Sequence, residues 1–193
     1  MMSLVLLCSC GKNQAQHPVR DLLKTPITND ATTMGTFIQV TDYDKGKTQA
    51  VNEALKIPVK YNALTTVNQP GSQIDLINKN AGIKPVKVDQ GVYQLIKDGV
   101  SYSEKYPQSG YDVTIGSLTK LWDIGFPDAK KPTQAQIDQV LPTINYRFIS
   151  FNDAKHEIEL THKGTQLDLG SIVKGYVAML MVDQLKKAGV TTG

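Results

Sequence analysis

Residues 171–188 read as one amphipathic helix. Ile172, Val173, Tyr176, Val177, Leu180, Met181, Leu185 and Ala188 fall on a single stripe, and Gly189 stands where a helix stops. The run is entered without a linker from an extended apolar stretch that ends in "LDLG" (167–170). A helix fed so directly by a strand buries its stripe against a sheet. The chain is thereby committed to an α+β architecture, α/β-like at this passage, with helices packed on mixed sheets. "VTTG" (190–193) then reads as the start of a further strand, so the expectation is a domain incomplete at its C-terminus.

The preceding sequence supplies the other elements. "TTMGTFIQVTDY" (32–43) alternates as a strand opened by Met34-Gly35, with Thr36, Ile38 and Val40 on one face. Residues 47–64 carry a helical stripe at Val51, Ala54 and Leu55, which Pro58 is expected to kink or stop. "NQPGS" (68–72) is a turn, and Ser72 caps a short helix over 73–80. "KPVKV" (84–88) is extended, and Asp89 caps a helix to about Lys105 with Val92, Leu95, Ile96, Gly99 and Val100 inward. After the loop "YPQSGYD" (106–112), residues 113–126 begin as a strand and turn helical up to Gly125, with Trp122 as a core anchor. Thr133 and Gln136 form a capping-box pattern ahead of a helix to 141. Residues 146–170 read as three strands joined at "NDAK" and "HKG".

Composition narrows the function classes. The 193 residues, 40% hydrophobic and 20% charged, suffice for one domain with a real core. The net charge of +3 is spread along the chain, which does not suit a nucleic-acid partner. His17, His156 and His162 are scattered, with no zinc spacing, and both cysteines lie at the N-terminus. "MMSLVLLCSC" resembles the end of a bacterial lipoprotein signal, with Leu7 at −3, Ser9 at −1 and Cys10 as the lipidated residue. The domain expectation is therefore a signal and lipobox remnant (1–10), a polar tether (11–30) and a folded domain (31–193). Localisation follows as the bacterial cell envelope, lipid-anchored to the inner membrane and facing the periplasm or exterior.

"DLGSIVKGYV" (168–177) is the candidate site. The first amides of a helix are unpaired and carry partial positive charge, glycine allows close approach to backbone, and Lys174 adds a full charge. These features suit a pyrophosphate. The alternative is that Gly170 serves the turn, Gly175 lets the helix pack closely on the sheet, and Lys174 is solvated.

Four blocks bear on that choice: "TTMGT", "QPGSQIDLINKNAG", "SGYDVTIGSLTKLWDIG" and "LDLGSIVKGYVAMLMVDQLKKAGV". In order and separation they resemble the ApbE family of FAD:protein FMN transferases, over residues 32–193 and about the N-terminal two-thirds of such proteins. The resemblance implies an FAD cleft contacted by Met34, by the loop Gly110, Tyr111 and Asp112, and by Asp168 and Lys174. Ser171 would offer an oxygen to Mg²⁺, the other metal ligands and the catalytic residues belonging to a segment beyond this chain. The implied reaction moves FMN from FAD to a threonine hydroxyl of an exported redox flavoprotein and releases AMP. Alternatives are hydrolysis of FAD to FMN and AMP, or a flavin-binding fragment without turnover. The chain departs from the family pattern at Val67 or Asn68, where relatives place an aromatic residue, at Pro58, and at Ser117 in place of a proline. His156 and His162, on an expected hairpin, are surface residues in this reading.

Overall fold

The protein is described here by a computed structural model covering residues 21–67, 70–124 and 126–193. The lipidation assignment at Cys10 lies outside these residues, as do Asn68 and Gly125.

Met34 and Gly35 both take positive φ, 54° and 65°. Two such residues in succession make the tight reversal whose twist matches a hairpin. The chain before them is accordingly a strand, β1 (Ile27–Thr33), paired antiparallel with β2 (Thr36–Asp42) from Thr33↔Thr36 to Ile27↔Asp42. The sequence places one strand at 32–43; the structure makes Met34-Gly35 the turn of a hairpin, and residues 27–30 of the expected tether belong to β1. The assigned face holds, with Thr36, Ile38 and Val40 turned inward and Phe37 and Gln39 exposed.

Helix α1 (Thr48–Thr65) runs through Pro58 without ending. A proline inside a helix forfeits one hydrogen bond and costs roughly 3 kcal/mol. Here Pro58 lies on the buried face with Val51, Ala54, Leu55, Tyr61 and Thr65, so packing offsets that loss. Ser72 caps α2 (Gln73–Lys79) by accepting the Asp75 N–H at 2.9 Å, and Ile74 and Ile77 are fully buried. The two-residue strand β3 (Val86–Lys87) leads to α3 (Gln90–Lys105), capped by Asp89 through the Gly91 N–H at 2.9 Å.

Helix α4 (Gly116–Trp122) stops at Asp123, whose φ of 47° turns the chain left-handed. Trp122 is half-buried at its end rather than anchored in the core. The capping box at Thr133 and Gln136 forms as expected ahead of α5 (Gln134–Val140). Strands β4 (Ile149–Asn152) and β5 (Glu157–Leu160) make a hairpin, and β3 adds to β5, giving the antiparallel order β3-β5-β4.

The third strand expected before residue 170 does not join this sheet. Residues 165–169 make one parallel bridge, Ile115↔Gln166, with backbone bonds Gly116 N–H to Gln166 O (2.9 Å) and Asp168 N–H to Val113 O (3.0 Å). Beside them the Asn78 amide takes the place of a neighbouring strand: its Oδ1 accepts the Leu167 N–H at 2.7 Å and its Nδ2 donates to the Leu167 carbonyl at 3.1 Å.

The final helix, α6 (Val173–Lys187), buries Val173, Val177 and Met181. It packs on α1 through the Tyr61–Tyr176 ring pair, centroids 5.7 Å apart at 62°. Gly189 ends it with φ 76°, the Gly189 N–H reaching Lys186 O (2.9 Å) and the Val190 N–H reaching Leu185 O (3.0 Å), a Schellman pair. The Lys47 ammonium donates to the Ala188 carbonyl at 2.7 Å, a cation where the helix dipole is negative.

Candidate functional site

A cavity of about 870 Å³ opens where α1, α2, α4 and the start of α6 meet the β1–β2 turn. This volume lies in the range of small-molecule sites, roughly 300–1,000 Å³. Its walls carry Met34 and Gly35 from the hairpin turn, Asn78 and Lys79 from α2, Thr119 and Lys120 from α4, and Asp168 to Gly170, Val173 and Lys174 from the strand-to-helix passage.

Helix α6 points its uncapped end at this space. Ile172 is the N-cap residue and no side chain bonds to the first-turn amides, so Ser171 does not cap the helix. Val173 N–H and Ile172 N–H turn back to the Leu169 carbonyl, which leaves the amides beyond Val173 as the positive pole of the helix. Lys174 is exposed and takes part in none of the ion pairs among the described residues. Lys79 differs, since Asp75 holds it at 2.7 Å; that contact, with the Gly71 N–H, keeps the Asp75 carboxyl below its ordinary pKa although burial works the other way.

Asp168 is fixed on both oxygens. Oδ1 accepts the Gly170 N–H at 2.9 Å and Oδ2 accepts the Thr119 hydroxyl at 2.8 Å. The glycines divide differently from expectation. Gly170 lines the cavity, and a Cβ there would come within 3.1 Å of Asp168 Oδ1. Gly175 neither lines the cavity nor packs on the sheet, for a Cβ at 175 would meet nothing within 4 Å.

The sequence-derived residues therefore separate into two groups. Met34, Asp168 and Lys174 come together on the cavity wall. Gly110, Tyr111 and Asp112 do not reach that wall. Asp112 serves the local fold, accepting the Thr114 N–H (2.8 Å), the Thr114 hydroxyl (2.6 Å) and the Tyr146 N–H (3.0 Å). The Tyr111 hydroxyl is buried without a hydrogen-bond partner, and burial raises its pKa. Ser171 is exposed beside Gly170 and outside the cavity lining. His156 is half-buried against the Tyr93 ring and exposed His162 stacks on Phe148, and neither lines the cavity.

Sequence reading missed Asn78 and Thr119, because each acts across a long sequence separation. Backbone strain also marks the site. Among the described residues, Met34, Asp123 and His156 are the non-glycine residues with positive φ, and the first two line the cavity.

For Mg²⁺ the donor set of this chain is insufficient. The ion wants near-octahedral oxygen ligation, and among the described residues no group of three or more His, Cys, Asp or Glu side chains comes together. Ser171 alone does not meet that requirement, so the residues present do not by themselves hold the ion.

Comparison with known proteins bears on the identity of this arrangement. The model of the ApbE family matches residues 34–193. A protein named FAD:protein FMN transferase from Treponema pallidum is 28% identical over 189 residues, covering 93% of this chain and 51% of that protein. One of the same name from Klebsiella pneumoniae is 33% identical over 154 residues, covering 80% and 48%. The chain thus spans about half the length of these curated relatives rather than two-thirds. The fold matches an ApbE protein from Thermotoga maritima with a TM-score of 0.77 at 21% identity, over 84% of this chain and 53% of that one. The flavin transferase ApbE from Vibrio cholerae gives 0.75 at 18% identity, over 86% and 54%. The family match runs over the hairpin turn, the cavity wall and the whole strand-to-helix passage, and this chain belongs to the ApbE family.

Proposed function

We propose that this chain binds FAD and takes part in moving its FMN moiety to a threonine hydroxyl of an acceptor flavoprotein. The observation that carries the reading is the uncapped N-terminus of α6, with Lys174 in its first turn, set in the wall of a cavity large enough for a nucleotide. An anion placed there is met by backbone amides, the helix dipole and one ammonium not spent on an ion pair. The names of the relatives support flavin transfer as the use of such a site.

In this reaction the threonine oxygen forms a bond to the FMN phosphorus, the phosphoanhydride bond breaks, AMP leaves with the electron pair, and the hydroxyl proton passes to a base. Catalysis of such a step is mostly positioning and charge neutralisation. The chain's share is to orient the diphosphate at α6 and to present Asp168 as a fixed acceptor for hydroxyl or N–H donors of the nucleotide. Mg²⁺, if held by ligands that this chain does not itself complete, would add further neutralisation of phosphate charge.

A second reading rests on Asp168. Both of its oxygens are engaged, so it is poorly placed to act as the base. The chain then binds FAD without turnover. A thermal-shift titration with FAD, with and without Mg²⁺, tests binding, and an assay that separates FMN-protein, free FMN and AMP distinguishes transfer, hydrolysis and binding alone. Absence of any shift, with or without Mg²⁺, removes the flavin reading.

The envelope location belongs to the same proposal, with Cys10 as the lipid anchor. Among the described residues no helix is long and apolar enough to cross a membrane. Intact-mass measurement of the membrane-fraction protein, with Cys10→Ala as control, checks for the lipid.

A further inference from the structure

An acidic side chain on the wall of a diphosphate site has to be held away from the anion, because a carboxylate free to swing toward the phosphates would repel them more strongly at the shorter distance. Asp168 is in that position, and the structure shows what restrains it. Among the described residues the strand-to-helix passage carries no sheet neighbour on the α2 side, and two side chains from other elements grip it instead. Asn78 pairs with both backbone groups of Leu167, and Thr119 donates to Asp168 Oδ2 at 2.8 Å. The Thr119 hydroxyl also lies 3.2 Å from the Gly116 carbonyl, and the shorter contact is the one to the carboxylate. Both Asn78 and Thr119 line the cavity.

We infer that Thr119 is a positioning residue of the nucleotide site: its hydroxyl holds the Asp168 carboxylate turned along the passage, leaving the α6 amides and Lys174 as the face that an anion meets. The inference rests on the flavin-nucleotide reading above and adds to it a residue that acts through Asp168. Losing the methyl of threonine leaves this role intact, whereas losing the hydroxyl leaves the carboxylate held through Oδ1 and the Gly170 N–H alone.

The test is a set of FAD affinities, read by quenching of flavin fluorescence on the full chain. Thr119→Val is expected to weaken binding roughly fivefold, about the net effect of one ordinary hydrogen bond, and Thr119→Ser to stay within about twofold of wild type. Because Thr119 acts through Asp168, Thr119→Val adds no further loss in an Asp168→Ala background. Wild-type affinity in Thr119→Val, or the same loss with and without Asp168, overturns the inference while leaving the flavin reading intact. Failure of the wild type to bind FAD overturns both. Melting curves accompany each variant, and Thr119→Ala replaces the valine variant if the latter does not melt cooperatively.

Discussion

Lys174 and Gly175 are adjacent in the first turn of α6, and the structure sets them opposite tasks. Lys174 lines the cavity and is exposed, so its replacement costs the fold little and the ligand much. Lys174→Ala is expected to leave the melting temperature unchanged and to weaken FAD binding about tenfold, near 1.4 kcal/mol, with the difference shrinking as salt rises. Gly175 has open space where a Cβ would stand and no positive φ. Glycine inside a helix costs about 0.5–1 kcal/mol against alanine. Gly175→Ala should therefore raise stability by about that amount and leave FAD affinity alone. Thermal melts paired with flavin titrations read both. A Gly175→Ala protein that melts higher but loses FAD would show that the ligand lies further along the helix than the cavity wall indicates.

At the scale of elements, what could be read from the chain was whatever depends on near neighbours. Ser72, Asp89, Thr133 and Gly189 were legible as helix boundaries because a cap involves residues two to four apart. The α6 stripe was legible because one periodicity governs all of it. The features that escaped are settled at long range. Pro58 looked like a kink or a stop, and the stop fails because the packing that overrides it comes from other elements. Residues 165–169 looked like a sheet strand because their partner on one side is the amide of Asn78, 89 positions away from Leu167. Met34-Gly35 looked like the start of a strand because methionine seldom takes positive φ. In the site, Lys174 was found from a local motif and Asp168 from the family resemblance, while Thr119, 49 positions from Asp168, left no local signal.

Two element-level consequences can be measured. A Cβ at Gly116 would lie 2.7 Å from the Gln166 carbonyl oxygen and 2.8 Å from that of Leu167, both backbone atoms with no side-chain freedom to yield. Gly116→Ala is expected to destabilise the protein by about 1–3 kcal/mol in urea unfolding, as overpacking does, and to weaken FAD binding by shifting the passage that leads to α6. In α2, the Asp75 carboxyl has a lowered pKa in the folded state, with its Lys79 contact the largest cause. A depressed carboxyl contributes stability above its unfolded value, and that contribution disappears as pH falls through the lower folded value. Asp75→Asn should therefore lose stability at neutral pH and converge on wild type as acid is added below about pH 4. A constant gap across that range would mean that the charge of Asp75 is irrelevant to α2.

Taken as a whole, the molecule is cored unevenly. None of its buried hydrophobic residues lies between Val113 and Ile149 among the described residues. Helix α4 buries only Gly116 and Ser117, and α5 buries nothing. Regions with few buried apolar contacts open at lower free energy than the core that carries them. The segment from α4 through α5 should therefore exchange its amide hydrogens faster than α1, α3 and α6 under native conditions. Trp122, the single tryptophan, sits at the end of α4 and reports on this segment alone. Its fluorescence should change at lower urea than the helical circular dichroism, so the two unfolding curves separate. In the proposed flavin site the cavity would link this segment to the ligand, since Thr119, Lys120 and Asp123 share its wall with Asp168 and Lys174. A ligand that binds only the closed form stabilises it in proportion to its occupancy. Saturating FAD should then slow exchange in α4 more than in α3, which contributes no residue to the cavity wall, and bring the tryptophan and dichroism curves together. Curves that coincide without FAD would place α4 in the main cooperative unit, and a ligand that protects all helices equally would mean that it does not bridge α4 and α6.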